Sequence, residues 1–181
     1  MRSFMCLITS AFLATACSST PHHVSRHPAS GAHIPSLARL AIKSPPEECR
    51  IKYWEDGDTP VVYCGQDAQP TVVRLIGIDT AESGFDDNSR RRAHMQVKQW
   101  GMTLEQVFAC GKAATQRVCE LCPPDSKVQI VGTERGKYGR RLAYLLCNGD
   151  NMNLLLVHEG LAGRYPYPDP PEKPSACPLD K

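Results

Sequence analysis

The chain has 181 residues, 41% of them hydrophobic and 22% charged. That suits one domain with extensions and supplies enough apolar residues for a packed core. The formal net charge of +2 is too small to announce a nucleic-acid binder by itself, so any such partner has to be argued from local charge.

The chain opens with Met1-Arg2 and an apolar run from Phe4 to Ala16 that is too short to span a bilayer. Residues 1–16 therefore read as a signal peptide. The small residues of Leu13-Ala14-Thr15-Ala16 before Cys17 resemble the lipobox of bacterial lipoproteins, which implies a lipidated Cys17 and a membrane anchor. Ala14-Thr15-Ala16 also fits an A-x-A site for ordinary secretion. Both readings place the mature protein outside the cytosol. Residues 17–47 carry Ser, Pro, His and Arg without periodicity and read as a flexible tether. With Cys6 in the signal and Cys17 lipidated, seven of the nine cysteines remain. In an oxidising compartment they are mainly disulfide material, and an odd number leaves at least one thiol unpaired.

Cys49 to Cys64 reads as a hairpin with Asp56-Gly57 as its two-residue turn. Counting outward from that turn places Cys49 opposite Cys64, where a disulfide can form. A third strand is predicted over Thr71–Ile78, a fourth over Lys127–Thr133 and a fifth over Arg141–Cys147. Residues 84–102 read as an inserted loop, with Arg90-Arg91-Arg92 as a solvated run or a phosphate-tracking patch. The capping box Thr103-x-x-Gln106 opens one helix, which Cys122-Pro123-Pro124 ends. A second helix spans about 153–161, and the tail 166–181 is proline-rich. Cys122–Cys147 is the expected second bridge, with Cys177 pairing to Cys110 or Cys119. The fold class is α+β: a five-stranded Greek-key barrel of the OB type with two or so helices.

Three separated stretches then agree with one family. DGDT at 56–59, VRLIGIDTAES at 73–83 and GKYGRRLAYLL at 136–146 resemble the staphylococcal nuclease, or thermonuclease, family, in the same order and with similar spacing. The resemblance covers about residues 48–165. It implies a monomeric calcium-dependent endonuclease acting on DNA and/or RNA and leaving 3′-phosphate ends. By that resemblance Asp58, Asp79 and the Thr80 carbonyl hold Ca2+, Arg74 and Arg140 hold phosphate, and Glu82 activates water. Lys137 and Tyr138 lie near a terminal phosphate, and Tyr165 and Tyr167 can stack on a base. The chemistry suits the residue types, since calcium takes hard oxygen ligands and an arginine fork can grip two phosphate oxygens.

Two points stay open. In a regular strand Arg74 and Asp79 point to opposite faces, so the chain has to bend between them, with Gly77 as the candidate place. A non-catalytic OB module holding nucleic acid or a protein loop is the alternative function.

Overall fold

The computed structural model describes residues 45–65 and 69–177. The predicted signal peptide, Cys17 and nearly all of the tether lie outside the described residues. Among those described, no helix is long and apolar enough to cross a membrane.

The elements are β1 (Glu47–Asp56), β2 (Thr59–Cys64), β3 (Thr71–Leu75), β4 (Ile78–Thr80), α1 (Asp87–Trp100), α2 (Leu104–Leu121), β5 (Lys127–Val131), β6 (Arg141–Cys147), β7 (Asp150–Asn151), α3 (Met152–His158) and β8 (Ala162–Arg164). The main sheet runs β3-β2-β1-β5-β6, with β7 added at its end, and a parallel β3–β6 pairing closes it into a five-stranded barrel. Residues on the inward side of each strand fill the interior: Ile51, Val62, Val73, Leu75, Ile130, Ala143 and Leu145 are almost completely excluded from water. This is the expected OB-type barrel, with one helix more than the sequence predicted.

That extra helix is α1. It occupies the segment read as an inserted loop. Asp86 caps it by accepting from the Asn88 and Ser89 amides, and Gly101 ends it in the left-handed region. Its apolar face is thin. Ala93 and Trp100 pack with Ala81, Met102, Val107, Cys110 and Cys177 in a second small core outside the barrel. Helix α2 begins at the predicted capping box, with both reciprocal bonds of Thr103 and Gln106 formed.

The hairpin turn is displaced by one residue from its expected place. Gly57 and Asp58 form the turn, flanked by the pair Asp56–Thr59. Two irregularities in β1, between Ile51 and Tyr53 and between Trp54 and Asp56, each insert one residue and shift the register back, so that Cys49 still faces Cys64. The inference about the pair was right although the turn that led to it was misplaced. Gly57 is required by packing, since a Cβ there would lie 2.9 Å from both the Ala114 Cβ and the Thr80 Cγ2.

The third strand also departs from prediction. It stops at Leu75, turns through Ile76-Gly77, and resumes as β4, which pairs with β8 instead of the barrel. Gly77 has φ +75°, a conformation costly for other residues. Three backbone polar groups freed at the turn find partners. The Ile76 amide donates to Ala143 O at 3.1 Å, the Asn153 side-chain amide donates to Ile76 O at 2.9 Å, and the Tyr165 amide donates to Gly77 O at 2.9 Å.

Cys49–Cys64, Cys110–Cys177 and Cys122–Cys147 are disulfide-bonded, leaving Cys119 as the free thiol among the described residues. The Cys110–Cys177 bridge fixes the tail, which among the described residues has no helix or strand after Arg164, against α2. The carbonyl of Pro171 accepts from Gln99 and from the Trp100 indole on α1.

Peptide mapping without reduction should return these three pairs and an alkylatable Cys119. Replacing Cys49 and Cys64 by serine should cost about 3 kcal/mol, the loop-entropy figure for a separation of 15 residues. A second test concerns the link between α2 and α3, where Arg117 donates to both Glu159 oxygens at 2.7 and 2.6 Å. That bond holds the Glu159 carboxyl below its ordinary value. Its contribution is therefore present above the unfolded pKa and lost as pH falls through the lower folded one. Glu159→Gln should cost about 0.2–1 kcal/mol at neutral pH. The deficit should fade in strong acid, as read by urea unfolding at both pH values.

Candidate active site

The β3 turn folds Asp79 back beside Arg74. The Arg74 guanidinium then lies between two carboxylates: one terminal nitrogen pairs with Asp58, and the other pairs with Asp79 and donates to Ile78 O at 3.2 Å. Asp58 reaches this point from the hairpin turn and is 2% exposed. It accepts from the Thr80 amide at 2.8 Å and from the Thr59 hydroxyl at 3.0 Å, while its own carbonyl accepts from the Leu75 amide. Hairpin tip, β3 and β4 are thus joined at one carboxylate. Burial pushes the Asp79 carboxyl up, and the Arg74 charge beside it opposes the rise.

Glu82 follows β4 on a stretch pressed against α2. Gly111 makes that approach possible, since a Cβ there would sit 2.2 Å from Glu82 O. Glu82 is 8% exposed, and burial raises its carboxyl pKa, partly offset by the hydrogen bond from Arg92. On the other side, the β5–β6 connection makes a tight turn in which the Gly139 amide donates to Gly136 O at 2.9 Å. Lys137 and Tyr138 occupy its middle, and Arg140 follows. Arg140 has no carboxylate partner among the described residues, and burial together with the Arg74 charge depresses its pKa.

Asp58, Arg74, Asp79, Thr80, Glu82, Tyr138 and Arg140 line one cavity of about 380 Å³, together with Tyr165. Lys137 does not line it. Its ammonium lies 5.0 Å from the centre of the Tyr138 ring, and that ring is itself mostly exposed. Tyr167 is also outside the lining, packed edge-on to Tyr165 at 6.2 Å. Cys49 and Cys64 brace the far end of the hairpin whose tip carries Asp58.

The sequence reading missed part of the wall. Arg92, Met95, Gln96 and Gln99 all come from α1. Arg92 donates through Nε and Nη2 to the two Glu82 oxygens, the second at 2.8 Å. Gln96 donates to Asp79 Oδ2 at 3.2 Å and to Thr80 O at 3.0 Å, and accepts from the Glu82 amide at 3.0 Å. The arginine run is therefore neither a loop nor a shared patch. Arg90 and Arg91 bond locally to Phe85 O and Asn88, whereas Arg92 turns into the site.

The oxygen donors fit a hard cation. Two carboxylates share one positive group, the Arg74 guanidinium, and the Thr80 carbonyl accepts from the same Gln96 amide nitrogen as Asp79 Oδ2. A soft-metal site is not indicated. Among the described residues, the gathered trio of possible ligands is Glu47, Cys49 and Cys64, and its two sulfurs are consumed by a disulfide.

Comparisons with known proteins bear on the family of the chain. The chain is 30% identical over 122 residues to the thermonuclease of Staphylococcus intermedius, an overlap of 67% of this chain and 62% of that protein. It is 29% identical over 111 residues to an uncharacterized protein of Bacillus anthracis, covering 61% of this chain and 44% of that one. The chain thus spans less than two thirds of the length of either relative. The family model described as staphylococcal nuclease homologue matches residues 72–177, which takes in β3, the β3 turn, both long helices, the KYGR turn and the pinned tail, and the chain belongs to that family.

Proposed function

We propose that the protein is a calcium-dependent endonuclease that hydrolyses phosphodiester bonds of DNA and/or RNA to leave 3′-phosphate ends. The observation that carries this reading is the convergence of Asp58, Arg74, Asp79, Glu82 and Arg140 on one cavity from well-separated stretches of chain. The thermonuclease relative supports the same class of reaction. Export as a monomer, tethered through a lipidated Cys17, completes the proposal and is supported by the leader-like first residues and by the extensive disulfide pairing.

A phosphodiester repels nucleophiles with its own negative charge, so hydrolysis needs that charge offset and a water activated. Calcium held by Asp58, Asp79 and the Thr80 carbonyl would supply fixed positive charge for the phosphate oxygens. Arg74 must leave the two carboxylates before its fork can hold phosphate, whereas Arg140 has no carboxylate partner among the described residues. Water attacks phosphorus, Glu82 accepts its proton, and the bond to the 5′ oxygen breaks, that oxygen taking up a proton from solvent to leave as a hydroxyl. Tyr138 and Tyr165 flank the cavity, where an aromatic face can stack on a base.

Digestion of plasmid and single-stranded DNA should proceed with calcium, stop with a chelator, and resume when calcium is returned. Magnesium should serve poorly, because it demands a stricter geometry. Undiminished cutting in chelator would remove the metal assignment. Binding of nucleic acid without cutting under any metal would instead favour the non-catalytic module.

Substitutions test the assigned roles separately. Glu82→Gln should keep calcium and nucleotide binding while losing roughly 10²–10⁴-fold in rate, the scale of general acid–base catalysis. Arg74→Lys should lose nearly as much, because an ammonium cannot make the two-point grip. Steady-state rates near wild type for either variant would refute that residue's role.

A further inference from the structure

Helix α1 grips the active-site segment at more than one point. Arg92 and Gln96 are four residues apart, so they lie on one face of the helix, one turn from each other. Arg92 holds both carboxylate oxygens of Glu82. Gln96 accepts from the Glu82 amide and spends its own amide on Asp79 Oδ2 and Thr80 O. Gln96 is 6% exposed, so each of these bonds is made away from competing water.

The helix is itself anchored. Ala93 and Trp100 are buried in the second core, and the Pro171 carbonyl accepts from Gln99 and Trp100 at the end of α1. Arg92 is steadied by a further bond, from Nη2 to the Ser89 hydroxyl at 3.3 Å, and Ser89 in turn donates to Asp86 at 2.6 Å. A short, unsupported stretch after β4 would leave Glu82 free to wander. Fixed on a packed helix, the same residues are held to the small tolerance that catalysis requires.

We propose that Arg92 and Gln96 are positioning residues of the active site: Gln96 orients the Asp79 carboxylate and the Thr80 carbonyl for a divalent cation, and Arg92 orients the Glu82 carboxylate toward the attacking water. Neither needs to touch the substrate. Their contribution is made through partners, as hydrogen-bonded supports commonly tune metal ligands and bases. This rests on the nuclease reading of the site, and the two are separated by measuring metal binding apart from cleavage.

The test uses the full chain with its disulfides formed, and compares wild type with Gln96→Met, Arg92→Ala and Arg92→Lys. Arg91→Ala serves as a control on the exposed face of the same helix, and thermal melting checks folding of each variant. Calcium is titrated calorimetrically without nucleic acid, and cleavage of single-stranded DNA is followed at saturating calcium. Gln96→Met should weaken calcium binding about 10–100-fold, the usual scale for loss of a supporting residue. Arg92→Ala should leave calcium affinity near wild type and lower kcat by about 10–100-fold with little change in KM, and Arg92→Lys should recover part of the loss. If Gln96→Met does not fold, Gln96→Asn replaces it, since that amide is too short to span all its partners. Wild-type calcium affinity in the Gln96 variant overturns its role. A kcat in Arg92→Ala equal to or above wild type overturns the other, marking Arg92 as indifferent or as a plug. A wild-type chain that binds calcium but cuts nothing refutes the nuclease reading and leaves Gln96 decided by affinity. One that binds no calcium overturns the inference as well.

Discussion

The break in β3 after Leu75 is the constraint from which the site follows. A strand that continued straight would keep its alternation and send Arg74 and Asp79 to opposite sides of the barrel wall. Gly77 reverses the chain at φ +75° and the next three residues pair with β8, outside the barrel. Three of the turn's polar backbone groups are satisfied from three directions: by β6 through Ala143, by α3 through Asn153, and by the tail through Tyr165. A buried turn without those partners would be expensive. Barrel closure, α3 and the tail therefore all converge on the residue pair that gives the site its charge.

The same economy governs charge. Buried carboxylates at Asp58, Asp79 and Glu82 are costly to hold together, and each has a guanidinium against it. Arg74 serves the first two and Arg92 the third. Gln96 links the Asp79 and Glu82 ends of the cavity through neutral hydrogen bonds. Arg140 has no carboxylate partner among the described residues, and an anion entering the cavity would find it available.

Much of this was legible in the order of residues, and the exceptions have physical causes. The strands showed because branched apolar residues recur at the barrel positions. Gly77 was identifiable because two residues needed on one side were separated by an odd number of positions. The turn of the first hairpin was misplaced because Asp-Gly is a strong local signal, while the packing of Gly57 against Ala114 and Thr80 is a tertiary one. The bulges that restore the Cys49–Cys64 pair have no local signature. Helix α1 was missed because its apolar stripe is reduced to Ala93, Val97 and Trp100 among charged neighbours. Its ends were nevertheless written in Asp86 and Gly101. Gln96 carries no motif at all, since its value lies in partners that only the fold brings near.

The bridge from Cys110 to Cys177 gives the molecule a definite order of completion. Translation delivers the hairpin, β3 and both long helices well before the tail exists, and a chain emerging from the ribosome can begin to fold in that sequence. Pro171 and Tyr165, which close one side of the cavity, come only afterwards, and the sulfur that pins them is later still. The cleft would therefore reach its full definition only where thiols are converted to disulfides; with Cys110 and Cys177 reduced, the wall from the tail is left to hydrogen bonds such as those from Gln99 and Trp100 to Pro171 O.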